Sequence, residues 1–186
     1  MYENRHMSKK LDNMLEPFFL DPEREYHVRE IAKITKKAPT TVSKTLKEYS
    51  KRGILQSRNA LNHLLFKAST QEHAYKQLKL HYNLTKLHSS GLINYLEKEY
   101  KYPMAIVLFG SYAKAEDIFA SDIDILVVTP TKKNISVNQF EKVLGHKVQL
   151  HCYSPQALEA MKTKNKELLN TFINGVLLSG YLELFQ

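Results

Sequence analysis

The stretch Leu108–Val128, LFGSYAKAEDIFASDIDILVV, gathers the residues best placed to do chemistry. An apolar run ends at Gly110-Ser111, and ten residues later Asp122-x-Asp124 opens a second apolar run. Residues i and i+2 of a strand share a face, so Asp122 and Asp124 project together while Ile123 turns away. Two carboxylates held ~6 Å apart repel by about 1 kcal/mol or less in water, and by more in a partly dry cleft. A cation relieves that repulsion. Hard carboxylate oxygens suit Mg²⁺, which binds through one or two carboxylates plus substrate phosphates. Gly110 lets the backbone pass close to a ligand. Ser111 falls where a short helix starts, with free N–H groups and a hydroxyl to offer a phosphate, and Lys114 adds a positive charge. An Asp-x-Asp alone reads as a strand entry decorated with turn-forming aspartates. The Gly-Ser pair at this spacing favours a divalent-metal and phosphate site instead.

Such a site needs strands to carry it. Met104–Phe109 and Ile123–Val128 are apolar runs of strand length, and Lys147–Tyr153 alternates apolar and polar residues as a third strand does. Helical patterns lie at Val137–Leu144, Pro155–Lys162 and Lys166–Asn174, followed by an apolar strand-like tail through Phe185. The order strand–helix–strand–helix–strand–helix suits an α/β or α+β arrangement. Residues 70–102 read as a helical linker, broken near Ser89-Ser90-Gly91, and residues 103–186 as the domain bearing the Asp pair.

Residues 1–69 read as a separate domain. Leu11, Met14, Leu15 and Phe18 give helical spacing over Ser8–Leu20, which Asp21-Pro22 stops. A short extended Tyr26-His27-Val28 precedes a helix at Arg29–Thr35. After a turn comes a second helix, Pro39–Arg52, with Pro39 at its first position and Gly53 beyond its end. Ile54–Arg58 and His63–Lys67 then read as a hairpin joined by Asn59–Asn62. HVREIAKITKKAPTTVSKTLKEYSKRGIL resembles the winged helix-turn-helix family. That resemblance implies duplex DNA as partner, with the second helix entering the major groove N-terminus first. Thr40, Thr41, Ser43, Lys44 and Lys47 would make the contacts there, and Arg58 would serve at the wing.

Charge agrees with this division of labour. The chain carries +8 overall; residues 1–69 carry +6, residues 70–103 carry +2, and residues 104–186 are neutral. A basic field attracts polyanions. No stretch of 18 apolar residues occurs, so no membrane partner is expected. The N-terminal residues lack the apolar centre of a signal peptide, and the single cysteine, Cys152, allows no intrachain disulfide; a cytoplasmic location is expected.

The Gly-Ser/Asp-x-Asp stretch resembles the signature of the polymerase-beta-like nucleotidyltransferase superfamily, especially its minimal prokaryotic members. A winged helix before such a domain is similar to an archaeal type of arrangement. The resemblance implies an α+β fold whose C-terminal domain is a mixed β-sheet with flanking helices, and Mg²⁺ held by Asp122 and Asp124, which would be both metal ligands and catalytic residues. It implies a nucleoside triphosphate, ATP by preference, bound at Gly110, Ser111 and Lys114. A nucleoside monophosphate would pass to an acceptor hydroxyl. The sequence departs from the family pattern at two places. A third carboxylate is usual on a later strand, and Gln149 occupies that position in KVQLH with His151 on the same face. Ala115 stands where a glycine is common. Three readings follow: an active nucleotidyltransferase joined to a DNA-binding winged helix; a non-catalytic DNA-binding regulator whose C-terminal domain senses nucleotide or dimerises; and an antitoxin-like enzyme modifying a protein acceptor or toxin partner. The habit of helix-turn-helix proteins of reading two half-sites makes a homodimer plausible.

Overall fold

A computed structural model describes residues 13–60 and 63–183. Two compact units divide the chain, Met1–Lys79 and Leu80–Gln186.

In the first unit the elements are α1 (Glu16–Leu20), β1 (Tyr26–His27), α2 (Val28–Thr35), α3 (Pro39–Lys51), β2 (Leu55–Ala60) and β3 (His63–Ala68), and α4 (His73–Ser89) begins in it. The first helix is shorter than its apolar spacing predicts. Residues 13–15 form a turn, and the expected start at residues 8–12 lies outside the described residues, as do the hairpin residues Leu61 and Asn62. The spacing marked Met14, Leu15 and Phe18, which are buried, as is Phe19 beside them, but burial alone does not require every one of them to be helical.

The helix pair forms for local reasons. Glu30 reaches back to accept the His27 N–H at 2.8 Å, which satisfies an otherwise orphaned donor at the start of α2. That N–H, and then Arg24, hold the Glu30 carboxyl below the usual carboxylate range. Lys36 takes a left-handed conformation to end α2, and Pro39 opens α3. Ile31, Val42 and Leu46 are fully buried. A three-stranded antiparallel sheet, in the order β1-β3-β2, carries Phe66 and Ala68 into the same core. Phe18 meets Tyr26 edge-on with ring centroids 5.0 Å apart.

The second unit continues through α4 and adds α5 (Leu92–Glu99), β4 (Ala105–Phe109), α6 (Gly110–Ala113), β5 (Ile123–Val128), α7 (Asn138–Leu144), β6 (Val148–Tyr153), α8 (Pro155–Lys164), α9 (Lys166–Ile173) and β7 (Val176–Gly180). Gly91, in the left-handed region, separates α4 from α5, at the break expected from Ser89-Ser90-Gly91. The sheet is mixed, in the order β6-β5-β4-β7. The pairs β4–β5 and β4–β7 are antiparallel, whereas β5–β6 is parallel. The apolar strand-like tail is thus an edge strand of this sheet; Leu184 and Phe185 lie outside the described residues.

Helices cover both faces of this sheet, which explains why β4 and β5 read as continuous apolar runs rather than alternating ones. Ile106, Leu108, Ile123, Ile125 and Val127 pack with Leu87, Leu92, Ile93 and Leu96 on one side. Ala105, Val107, Phe109, Leu126 and Val128 pack with Leu158, Leu169 and Phe172 on the other. Among the described residues no helix is long and apolar enough to cross a membrane.

Candidate functional site

Asp124 is the second residue of β5 and Asp122 immediately precedes the strand. Strand alternation puts both on the side that carries Leu126 and Val128, the α8/α9 side. Leu126 and Val128 are fully buried there, whereas Asp122 and Asp124 lie at the open end of the strand and are partly exposed. An apolar core below and solvent above leave the two carboxylates at the rim of the sheet.

Gly110 is the residue that fixes the approach. Phe109 pairs with Asp124 across β4 and β5, so the chain leaves β4 directly beside the acid pair. There Gly110 adopts φ +74°, a conformation open to glycine and costly for other residues. A Cβ at this position would fall 2.5 Å from Asp124 Oδ2. The Gly-Ser turn and the carboxylate thus touch. Ser111 is partly buried in α6, and Lys114 is exposed at the helix's C-terminal boundary. Ala115, the departure from glycine, sits at φ 57° and is buried. The left-handed backbone at this position explains why glycine suits it, and alanine tolerates it at a cost of roughly 1 kcal/mol.

Strand β6 supplies the other wall. Its parallel register sets Gln149 beside Asp124. Gln149 Nε2 donates to Asp122 Oδ2 at 2.5 Å. His151 Nε2 stands 3.3 Å from Asp124 Oδ1, and its ring meets Phe109 edge-on at 5.0 Å. The face expected to offer a third carboxylate offers an amide and an imidazole. Among the described residues no group of three or more His, Cys, Asp or Glu side chains gathers to hold a metal ion. Two carboxylates on one face fit an ion that draws its remaining ligands from substrate phosphates and water, as Mg²⁺ does, and do not make a closed protein cage.

The loop that spans Gly-Ser and Asp-x-Asp is pinned from several sides. Asn83 of α4 donates through Nδ2 to the Tyr112 carbonyl at 3.0 Å and to Asp117 Oδ1 at 2.8 Å. His146 Nδ1 donates to the Ser121 carbonyl at 2.8 Å. Burial, and after it the neighbouring Asp117 carboxyl, pushes the Tyr112 phenol well above its ordinary value. Neither Asn83 nor Asp117 carries a sequence signal. An Asn on a helix and an Asp in a loop both read as solvent-facing, yet they are 1% and 3% exposed.

A cleft of about 840 Å³ lies elsewhere in this unit, along β6 on the face opposite Gln149 and His151, with Thr129, Lys132, Val148, Leu150 and Cys152 among its walls. The chemistry-bearing residues do not line it.

In the first unit, Thr40, Ser43, Lys44 and Lys47 fall at i, i+3, i+4 and i+7 of α3 and line one shallow groove with Pro39. Thr41 is exposed outside that row and accepts the Thr45 hydroxyl through its carbonyl. Arg58 lies on β2 and its guanidinium is engaged. It grips Glu25 through two hydrogen bonds, of 2.6 Å and 2.5 Å. The Arg58 hydrogen bond holds the Glu25 carboxyl below its usual range.

The family described as Polymerase beta, Nucleotidyltransferase matches residues 91–180. This span contains α5, the whole four-stranded sheet, the Gly-Ser turn and the Asp pair, and the match supports placing it in the nucleotidyltransferase superfamily. No curated protein and no solved structure matches the chain.

Proposed function

We propose that the chain is a Mg²⁺-dependent nucleotidyltransferase joined to a DNA-binding winged helix. The observation that carries the catalytic half is the contact between Gly110 and the Asp124 carboxylate, inside a span that matches a nucleotidyltransferase family. It brings the turn suited to phosphate against the carboxylates suited to a cation. Gly110, Ser111 and Lys114 hold the phosphates of a nucleoside triphosphate, with ATP the preferred candidate. Asp122 and Asp124 hold Mg²⁺. The ion, when bound, offsets the negative charge on the phosphates. An acceptor hydroxyl attacks the α-phosphorus and gives its proton to solvent water, a new P–O bond forms, and the bond to pyrophosphate breaks. Gln149 cannot take the acceptor's proton, so β6 contributes no carboxylate base to this step. The test is Mg²⁺-dependent release of pyrophosphate from ATP with RNA and protein supplied as hydroxyl acceptors. The native chain is expected to release it and an Asp122→Asn/Asp124→Asn variant is not; equal release by both would remove the proposal.

A second reading is favoured by one observation, the Gln149 amide bonded to Asp122. In that reading the domain binds nucleotide and transfers nothing, and the protein is a nucleotide-sensing DNA-binding regulator. Mg²⁺-dependent ATP binding with no pyrophosphate release would select it.

For the N-terminal half, the support is the order α2, turn, α3, β2–β3 hairpin, with β1 closing the sheet, and the aligned row on α3. Thr40 and Ser43 offer hydroxyls to bases or phosphates, and Lys44 and Lys47 neutralise phosphates. A Lys44→Ala/Lys47→Ala variant is expected to bind duplex DNA more weakly, and the slope of log K against log salt should fall by about 2. Filter binding across a salt series measures both, and an unchanged slope would count against the groove assignment.

A further inference from the structure

We propose that Asn83 is a positioning residue of the nucleotide site, holding the Gly-Ser turn and the Asp pair at their working separation. The proposal rests on the nucleotide-binding reading above and adds a residue that lies outside the signature stretch.

The loop between α6 and β5 must do two things. Its first end continues the Gly110-Ser111 turn, and its last residue, Asp122, is one half of the acid pair. A loop free to drift would let these ends move independently, and misplacement of about 1 Å at a reacting centre can cost on the order of 10²-fold. Asn83 stops that drift with a single group. Its amide nitrogen carries two hydrogens, and both are spent on this loop. One goes to the carbonyl of Tyr112, the residue after Ser111. The other goes to Asp117, five residues before Asp122. The ties are buried, since Asn83 is 1%, Asp117 3% and Tyr112 1% exposed, so water does not compete for them. Low local dielectric strengthens hydrogen bonds made under such conditions.

The rest of the loop is fixed to match. Ser121 Oγ accepts the Ile118 N–H at 3.0 Å and the Ser121 N–H bonds the Ile118 carbonyl at 2.9 Å, closing a turn just before Asp122. His146 holds the Ser121 carbonyl and meets the Tyr112 ring edge-on at 5.4 Å. Asn83 ties the phosphate end and the middle; His146 ties the metal end. Of these two, Asn83 is the one that binds both sides of Ala115, the residue held at a left-handed φ, so it also maintains the strained bend between them.

The separation of a positioning role from a purely structural one lies in a ratio. Mg²⁺ raises ATP affinity most where phosphates on the turn and carboxylates on β5 meet the same ion. Isothermal titration of the full chain with ATP, in MgCl₂ and in EDTA, gives that gain directly, with thermal unfolding recorded on each variant. An Asn83→Leu chain keeps the branched shape of the side chain, at a larger volume, and loses both hydrogen bonds. An Asn83→Ser chain keeps one short donor that cannot span the two acceptors. Both are expected to reduce the Mg²⁺ gain by about tenfold or more, measured at a temperature where the variant is folded, while ATP binding in EDTA changes little. An Asn83→Asp/Asp117→Asn swap restores the tie between positions 83 and 117 and should recover part of the gain. A full Mg²⁺ gain in the Leu and Ser variants, with a native gain present, would overturn the role of Asn83 and leave the nucleotide reading standing. No Mg²⁺ gain in the native chain would overturn both.

Discussion

A Gly110→Ala chain is expected to lose Mg²⁺-dependent ATP binding by on the order of 10²-fold while still folding. Two effects combine at this one position. The backbone sits at φ +74°, where an alanine costs roughly 1–2 kcal/mol. The new methyl would also lie 2.5 Å from Asp124 Oδ2, closer than any Cβ contact allows. The methyl's collision is with a side-chain tip rather than with backbone, so the carboxylate yields first and swings away from the turn. Asp124 then no longer faces the phosphates, which is the loss that titration with ATP in MgCl₂ reads. The accompanying drop in unfolding free energy should be about 1–3 kcal/mol. A variant that binds ATP and Mg²⁺ as the native chain does would show that Asp124 does not work from this position.

The second large effect runs in the opposite direction. Gln149→Glu keeps the reach of the side chain and replaces an amide donor with a third carboxylate. The native amide donates to Asp122; the variant sets like charges side by side. At ~4 Å their repulsion is about 1 kcal/mol in water and about 4 kcal/mol at a partly shielded surface. In EDTA the variant should therefore melt below the native chain. In MgCl₂ the same charge becomes a ligand or a base, so the gain in melting temperature on adding Mg²⁺ should exceed the native gain. Pyrophosphate release should rise by on the order of 10²–10⁴-fold, the usual contribution of a positioned general base. Identical responses to Mg²⁺ in the two chains would mean that β6 takes no part in the site.

These two expectations rest on features with very different visibility in the sequence. The acid pair and the Gly-Ser turn were legible because strand alternation and apolar runs are local, and β4 and β5 lie close in the chain. Gln149 was legible for the same reason, as the middle of an alternating strand. The contact that makes Gly110 necessary needed the register Phe109↔Asp124, although the glycine itself pointed to a close approach. Asn83 and Asp117 were not legible. They are 34 residues apart, and a buried polar pair has the same letters as a solvated one. The pairing of Arg58 with Glu25 was not legible either, because the two are 33 residues apart. The end strand β7 read only as an apolar tail, because pairing with β4 is a long-range choice made by the sheet and not by the five residues of the strand. Local periodicity sets elements and faces, and long-range polar partners stay invisible until the chain is folded.

The metal assignment at β5 is tested most directly by the affinity of the full chain for ATP with and without Mg²⁺, compared with that of the Asp122→Asn/Asp124→Asn variant. The native chain should bind ATP more tightly in MgCl₂ than in EDTA, and the variant should bind equally in both. A variant that keeps the native response to Mg²⁺ would contradict that assignment.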